Sequence, residues 1–179
     1  MRSATRAIFK GLAALPLALT LLSCGRAEDS AIPETLCGTS IDPALVRPLL
    51  VSTEGLHEIN RVERTNPVFA PCVLVAGHDP VVELQFSWDG SPPDLTYLAQ
   101  GTGSVSHVSQ PRKIDLAEKA ISGTDGAIAI ARCKTKGGNY FTLTLQLPQV
   151  KLTDQSHRAD IEKFMRAYFP ATVKTLGCA

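Results

Sequence analysis

Four cysteines, Cys37, Cys72, Cys133 and Cys178, stand far apart along the chain, and none belongs to a C-x-x-C pair. Zinc sites and dithiol redox motifs need ligands a few residues apart, so this spacing points instead to two structural disulfides joining distant parts of one small domain. Three pairings satisfy the count. Bridges of this kind persist in an oxidising compartment, which places the domain outside the cytoplasm. A fifth cysteine, Cys24, has a different setting.

Residues 1–10 carry Arg2, Arg6 and Lys10 without an acid, and residues 11–23 are uncharged and mostly Leu and Ala. This is the pattern of a secretory signal. An apolar run of about a dozen residues falls short of the roughly 20 that a membrane-crossing helix needs. Its ending, Leu21-Leu22-Ser23-Cys24, looks like a bacterial lipobox, in which a small residue precedes a cysteine that is thioether-linked to diacylglycerol before cleavage. The resemblance implies that residues 1–23 are a lipoprotein signal peptide and that Cys24 becomes the acylated first residue. More than one acyl chain would hold the protein on the membrane, at about 0.8 kcal/mol per buried CH₂.

Beyond Cys24 lie 155 of the 179 residues, a length suited to one domain. Three of the 18 basic residues precede Cys24, so this part carries 15 basic against 17 acidic residues, a formal charge of −2. Such a balance leaves no electrostatic footprint for nucleic acid. The partners expected are the membrane, through the lipid, and an envelope protein or small-molecule ligand. No cofactor is expected.

Residues 24–36 are polar, broken by Pro33, and read as the acylated cysteine and a flexible stalk, with the folded domain spanning 37–179. Asp42 and Pro43 mark a helix start, which Pro48 limits to about two turns. Residues 55–66 are preferred as a strand over a helix. Residues 72–76, a Gly77-His78-Asp79-Pro80 turn and residues 81–88 predict two strands, with Val82, Leu84, Phe86 and Trp88 on a buried face and Glu83, Gln85 and Ser87 on a wet one. Residues 95–99 leave a short strand or a helical turn open, residues 101–111 read as a surface loop, and residues 114–121 carry no clear period.

Residues 127–136, Gly137-Gly138 and residues 139–147 form the strongest hairpin signal, with Phe141, Leu143, Leu145 and Leu147 on its buried face. A two-residue Gly-Gly loop would place Ile128 and Ile130 on that face, together with Arg132 and Lys134. Burying those charges unpaired would cost several kcal/mol each. A bulge near Arg132-Cys133, or a longer loop, is therefore predicted to shift the register and turn Cys133 inward. Thr153 or Asp154 is expected to cap the longest helix, which carries Ile161, Phe164, Met165 and Tyr168 and breaks at Pro170 before a second segment ends at Gly177.

The order of elements predicts an α+β fold: an antiparallel β-sheet of hairpins packed against N-terminal and C-terminal helices, with two disulfides. A final helix of roughly 36 Å, at 1.5 Å per residue, can return Cys178 towards Cys133. That favours Cys37–Cys72 as the other pair.

No catalytic motif is complete in the sequence. Gly101-Thr102-Gly103-Ser104 lacks both the G-x-S-x-G order and the Lys-Ser/Thr of a phosphate loop, and Lys134-Thr135-Lys136-Gly137 has no Ser-x-x-Lys elsewhere to supply a nucleophile. His57, His78, His107 and His157 are dispersed. Trp88 is expected in the core rather than on a sugar. The lipobox, Leu36-Cys37-Gly38, the Cys72 strand, Ile130-Ala131-Arg132-Cys133 and Leu176-Gly177-Cys178 together resemble small lipoproteins of unknown function common in actinobacteria. The resemblance implies a cell-surface domain held by disulfides, and no catalytic residues. The leading expectation is a non-enzymatic, lipid-anchored binding or accessory module on the extracytoplasmic face of the cell membrane. The alternatives are an envelope enzyme built on His107 or His157 with a nearby acid, and a carrier of an apolar ligand.

Overall fold

The computed structural model describes residues 32–64, 69–101 and 107–178. The leader, Cys24 and its acylation therefore lie outside the described residues. The described part is mostly antiparallel β-sheet with a few helices and two disulfides.

The first elements are a two-stranded hairpin, β1 (Thr35–Leu36) and β2 (Thr39–Ser40). The fold thus begins before Cys37: Ile32 and Leu36 are buried in the main core, so residues 32–36 belong to the domain and not to a stalk. Two apolar side chains in that short segment gain more from burial than from exposure. Helix α1 (Pro43–Val46) follows, with Asp42 accepting the Ala44 N–H at 2.8 Å, and a 3-10 turn over Arg47–Leu49 ends it.

The seven-stranded sheet comprises β3 (His57–Asn60), β4 (Ala70–Ala76), β5 (Asp79–Asp89), β6 (Arg112–Lys113), β7 (Lys119–Ser122), β8 (Gly126–Thr135) and β9 (Gly138–Gln146), ordered β3-β4-β5-β9-β8-β7-β6. Helix α2 (Leu95–Gln100) lies in the connection between β5 and β6, and α3 (Arg158–Thr175) closes the chain. Asp94 caps α2 by accepting from the N–H groups of Thr96 and Tyr97, which resolves residues 95–99 as helix. Residues 101–111 contain described, ordered positions at their end: Val108 and Ser109 are buried.

The main core takes Leu84 and Phe86 from β5, Phe141, Leu143 and Leu145 from β9, and Phe164, Met165, Tyr168 and Phe169 from α3. The Phe141 and Phe169 rings stack with centroids 5.9 Å apart, and Phe86 and Trp88 flank Phe141 at 5.6 and 5.2 Å. Burying each such side chain contributes about 1.5–3 kcal/mol.

The β8–β9 hairpin corrects one expectation. Its turn is Lys136-Gly137, with Thr135 opposite Gly138, and the register shifts between Arg132 and Thr135. Beyond the shift Ala127, Ala129 and Ala131 stand opposite Leu145, Leu143 and Phe141. Ile128 and Ile130 consequently lie on the other face, opposite Thr144 and Thr142. The irregularity turns Cys133 inward and leaves Arg132 exposed, so neither Arg132 nor Lys134 is buried.

Two further corrections concern α3. It begins at Arg158, because Asp154 is occupied in accepting the Ser156 N–H at 2.8 Å, an Asx turn that competes with capping. It also runs through Pro170 without a break. Phe169 and Thr172, buried on either side, hold the helix across the missing N–H. The outer face of the sheet is likewise drier than alternation implies: Gln85, Thr142 and Thr144 are buried, and Ala99, Val108, Ile121 and Ile128 form a small second core, with Leu95 and Leu98 packed against it.

Candidate functional site

The cysteines pair as Cys37–Cys72, tying the β1–β2 turn to β4, and Cys133–Cys178, tying the β8 irregularity to the residues after α3. With sequence separations of 35 and 45, each closes a loop whose chain entropy is worth about 4 kcal/mol. Around the first bridge the Cys37 N–H donates to Glu58 Oε2 at 2.6 Å. Arg64 donates to the Cys37 carbonyl, to Thr39 Oγ1 at 2.8 Å and to Thr175 Oγ1, and its guanidinium lies 5.7 Å from the Phe86 ring centroid. Burial pulls the Arg64 pKa down and pushes that of Tyr168 up; the Tyr168 hydroxyl donates to the Leu36 carbonyl at 2.9 Å. Gly38 has φ +76°, and a Cβ there would stand 3.1 Å from Arg64 Nε. This is a structural clasp between the N-terminal hairpin and α3. Cys37, Glu58 and Cys72 do have ligand atoms within 4.8 Å of one another, but the closed disulfide leaves no thiolate for a metal.

The four histidines do not meet. His57 Nδ1 lies 3.1 Å from the Gly55 carbonyl, His157 Nδ1 lies 3.2 Å from that of Pro48, and His78 stands exposed in the β4–β5 turn. His107 hydrogen-bonds a side chain: its Nε2 is 3.1 Å from Ser109 Oγ, and Ser109 Oγ is 3.0 Å from Asp125 Oδ2. Asp125 is buried and also accepts the Ser109 N–H at 2.7 Å, while the Thr124 N–H donates to the Ser109 carbonyl at 3.0 Å. Gly123 permits this approach, since a Cβ there would meet Ser109 O at 2.3 Å. An acyl-transfer triad places histidine between acid and serine so that the imidazole takes the hydroxyl proton. Here serine stands between histidine and acid. Its single proton goes to Asp125, which makes His107 the donor to Ser109 and ties residues 107–110 to the β7–β8 turn. These residues border an open concavity of about 490 Å³ shared with Gln110 and Leu152.

Two further concavities adjoin β6, β7 and β8. One of about 550 Å³ is lined by Gly90, Ser91, Pro92, Arg132, Lys134, Asn139 and Tyr140. Another of about 580 Å³ shares Pro92 and runs between α2 and the β6–β7 end of the sheet, past Lys113, Glu118 and Lys119. The Asn139 amide donates to the Gly90 carbonyl at 3.0 Å and holds the loop after β5 in place. Lys113 stands opposite Ile121, and Lys119 opposite Ile130. With Arg132 two residues beyond Ile130 on β8, the three cations descend one face along successive diagonals. Diagonal neighbours in an antiparallel pair are about 7–8 Å apart. Of the carboxylates in this trough, Glu118 pairs with Arg132 at 3.4 Å and Asp94 caps α2. Among the described residues Lys113, Lys119 and Lys134 make no ion pair.

Trp88 is half-buried and packs on Phe141, with ring centroids 5.2 Å apart. Phe141 and Phe169 stack directly between the sheet and α3. In comparisons with known proteins, the chain matches no family model, no curated protein and no solved structure.

Proposed function

We propose that this chain is a lipid-anchored extracytoplasmic lipoprotein, acylated at Cys24 after removal of residues 1–23, whose single domain binds a partner rather than transforming a substrate. In this reading the antiparallel sheet is covered by its N-terminal and C-terminal helices, and the domain stands on the outer face of the cell membrane as a binding or accessory module. It belongs with the small actinobacterial-type surface lipoproteins that its sequence resembles. The observation that carries the reading is the pair of disulfides, which close both ends of the fold and suit an oxidising compartment. A membrane-bound role then follows from the Leu21-Leu22-Ser23-Cys24 ending. Binding rather than turnover is supported by the Ser109 polarity, since its hydroxyl proton is directed at Asp125 and not at an imidazole.

Fractionation tests the anchor. The wild-type chain should partition into the detergent phase and a Cys24→Ser variant into the aqueous phase; an aqueous wild-type protein overturns the proposal. A second reading, a serine hydrolase, draws on the 3.1 Å separation of His107 and Ser109. Labelling of the folded protein by a fluorophosphonate, lost in Ser109→Ala, would establish it in place of the first.

A further inference from the structure

We propose that the trough on the outer face of β6, β7 and β8 binds an extended acidic peptide segment of a neighbouring envelope protein, with acidic residues at alternate positions. The inference rests on the binding-module reading and assigns it a site. Its floor is the diagonal of Lys113, Lys119 and Arg132, and Pro92, Pro93 and Leu95 form the wall opposite.

Three features point to this occupant. The first is charge: the trough is net positive in a chain whose part beyond Cys24 is net negative. Like charges on diagonal positions of neighbouring strands repel, and a lysine on an edge strand guards against unwanted pairing only there. That accounts for Lys113 on β6 but not for Lys119 and Arg132 on the interior strands. The second is spacing. Steps of about 7–8 Å between the strand positions that carry the cations match the roughly 6.6–6.8 Å between alternate residues of an extended chain, which point to the same side. The third is readiness. Asp94 Oδ1 accepts from the α2 N-terminus, and Glu118 approaches Arg132 at Nε at 3.4 Å while the Arg132 side chain stays exposed to a further carboxylate. Each step is comparable to the Debye length of about 8 Å at physiological salt, so several weak contacts made together give salt-sensitive but specific binding.

The test uses the detergent-extracted full-length protein and two fluorescent peptides of equal composition, one alternating Glu with Ser and one with its Glu residues in a single block. A carboxylated polysaccharide serves as a third ligand. The proposal expects the alternating peptide to bind at least about fivefold more tightly than the blocked one. It further expects the combined Lys113→Gln, Lys119→Gln and Arg132→Gln variant to lose about tenfold in affinity, with an unchanged melting temperature because all three side chains are exposed. Equal binding of the two peptides, or an unaffected triple variant, overturns it. Tighter binding of the polysaccharide, lost in the same variant, would overturn the peptide assignment and leave the binding-module reading standing. Loss of the detergent-phase behaviour of the wild type would instead strike that broader reading alone.

Discussion

The two faces of the sheet are made by the same strands yet follow different rules. On the inner face Phe86, Phe141, Leu143 and Leu145 meet the aromatic residues of α3 in one dry cluster. On the outer face the neighbouring positions are Gln85, Thr142 and Thr144, a four-residue apolar cluster, and beside it the cations of β6, β7 and β8. Stability is concentrated on one side, so the other is free to carry chemistry that a fold would not otherwise choose. β8 shows this within one strand: its alanines turn inward and its isoleucines outward.

Substitutions on the inner face should cost the most. Phe141→Ala removes a ring that touches Phe86, Trp88 and Phe169, and should cost about 3–5 kcal/mol in denaturant unfolding. Replacing Cys133 and Cys178 together by serine removes a 45-residue closure and should cost about 4 kcal/mol, read as a lower melting temperature under non-reducing conditions. Ile128→Ala, buried in the smaller outer cluster, is expected at the lower end of the usual range, about 2 kcal/mol. If it equalled Phe141→Ala, the two faces would share the load and the contrast would fail.

Carboxylates on the two faces carry opposite pH signatures. Glu162 beside the inner-face Ser122 is raised by burial, but hydrogen bonds from Ser122 and Arg112, with the charge of Arg112, outweigh that and hold it below the usual range. Its contribution is present above the ordinary carboxylate pKa and is lost as pH falls through the folded value. Glu83 on the outer face is pushed up by burial alone. It favours the folded state below the ordinary pKa, and that advantage is lost as pH rises through the folded value. Glu162→Gln should therefore lower the melting temperature at neutral pH and not in acid, and Glu83→Gln should raise it slightly at neutral pH and not in acid. Thermal scans at both pH values decide.

Much of the inner face was legible in sequence. Phe141, Leu143 and Leu145 alternate cleanly, Asp42-Pro43 marks a helix start, and the charges at Arg132 and Lys134 require a register shift. The outer face was not. Its faces depend on a strand register that the irregularity after Arg132 resets, so Ile128 and Ile130 change sides. Residues 112–122 are too short and mixed for a period, and the diagonal of Lys113, Lys119 and Arg132 exists only once three strands are aligned. Asp125 and Ser109 are 16 residues apart with no motif to join them.

The most direct measurement of the central claim is the intact mass of the membrane-extracted protein before and after reduction. The account predicts a chain beginning at Cys24 with added lipid, gaining two hydrogens for each of the two bridges on reduction. A lipid-free chain, or a mass that reduction leaves unchanged, would contradict it.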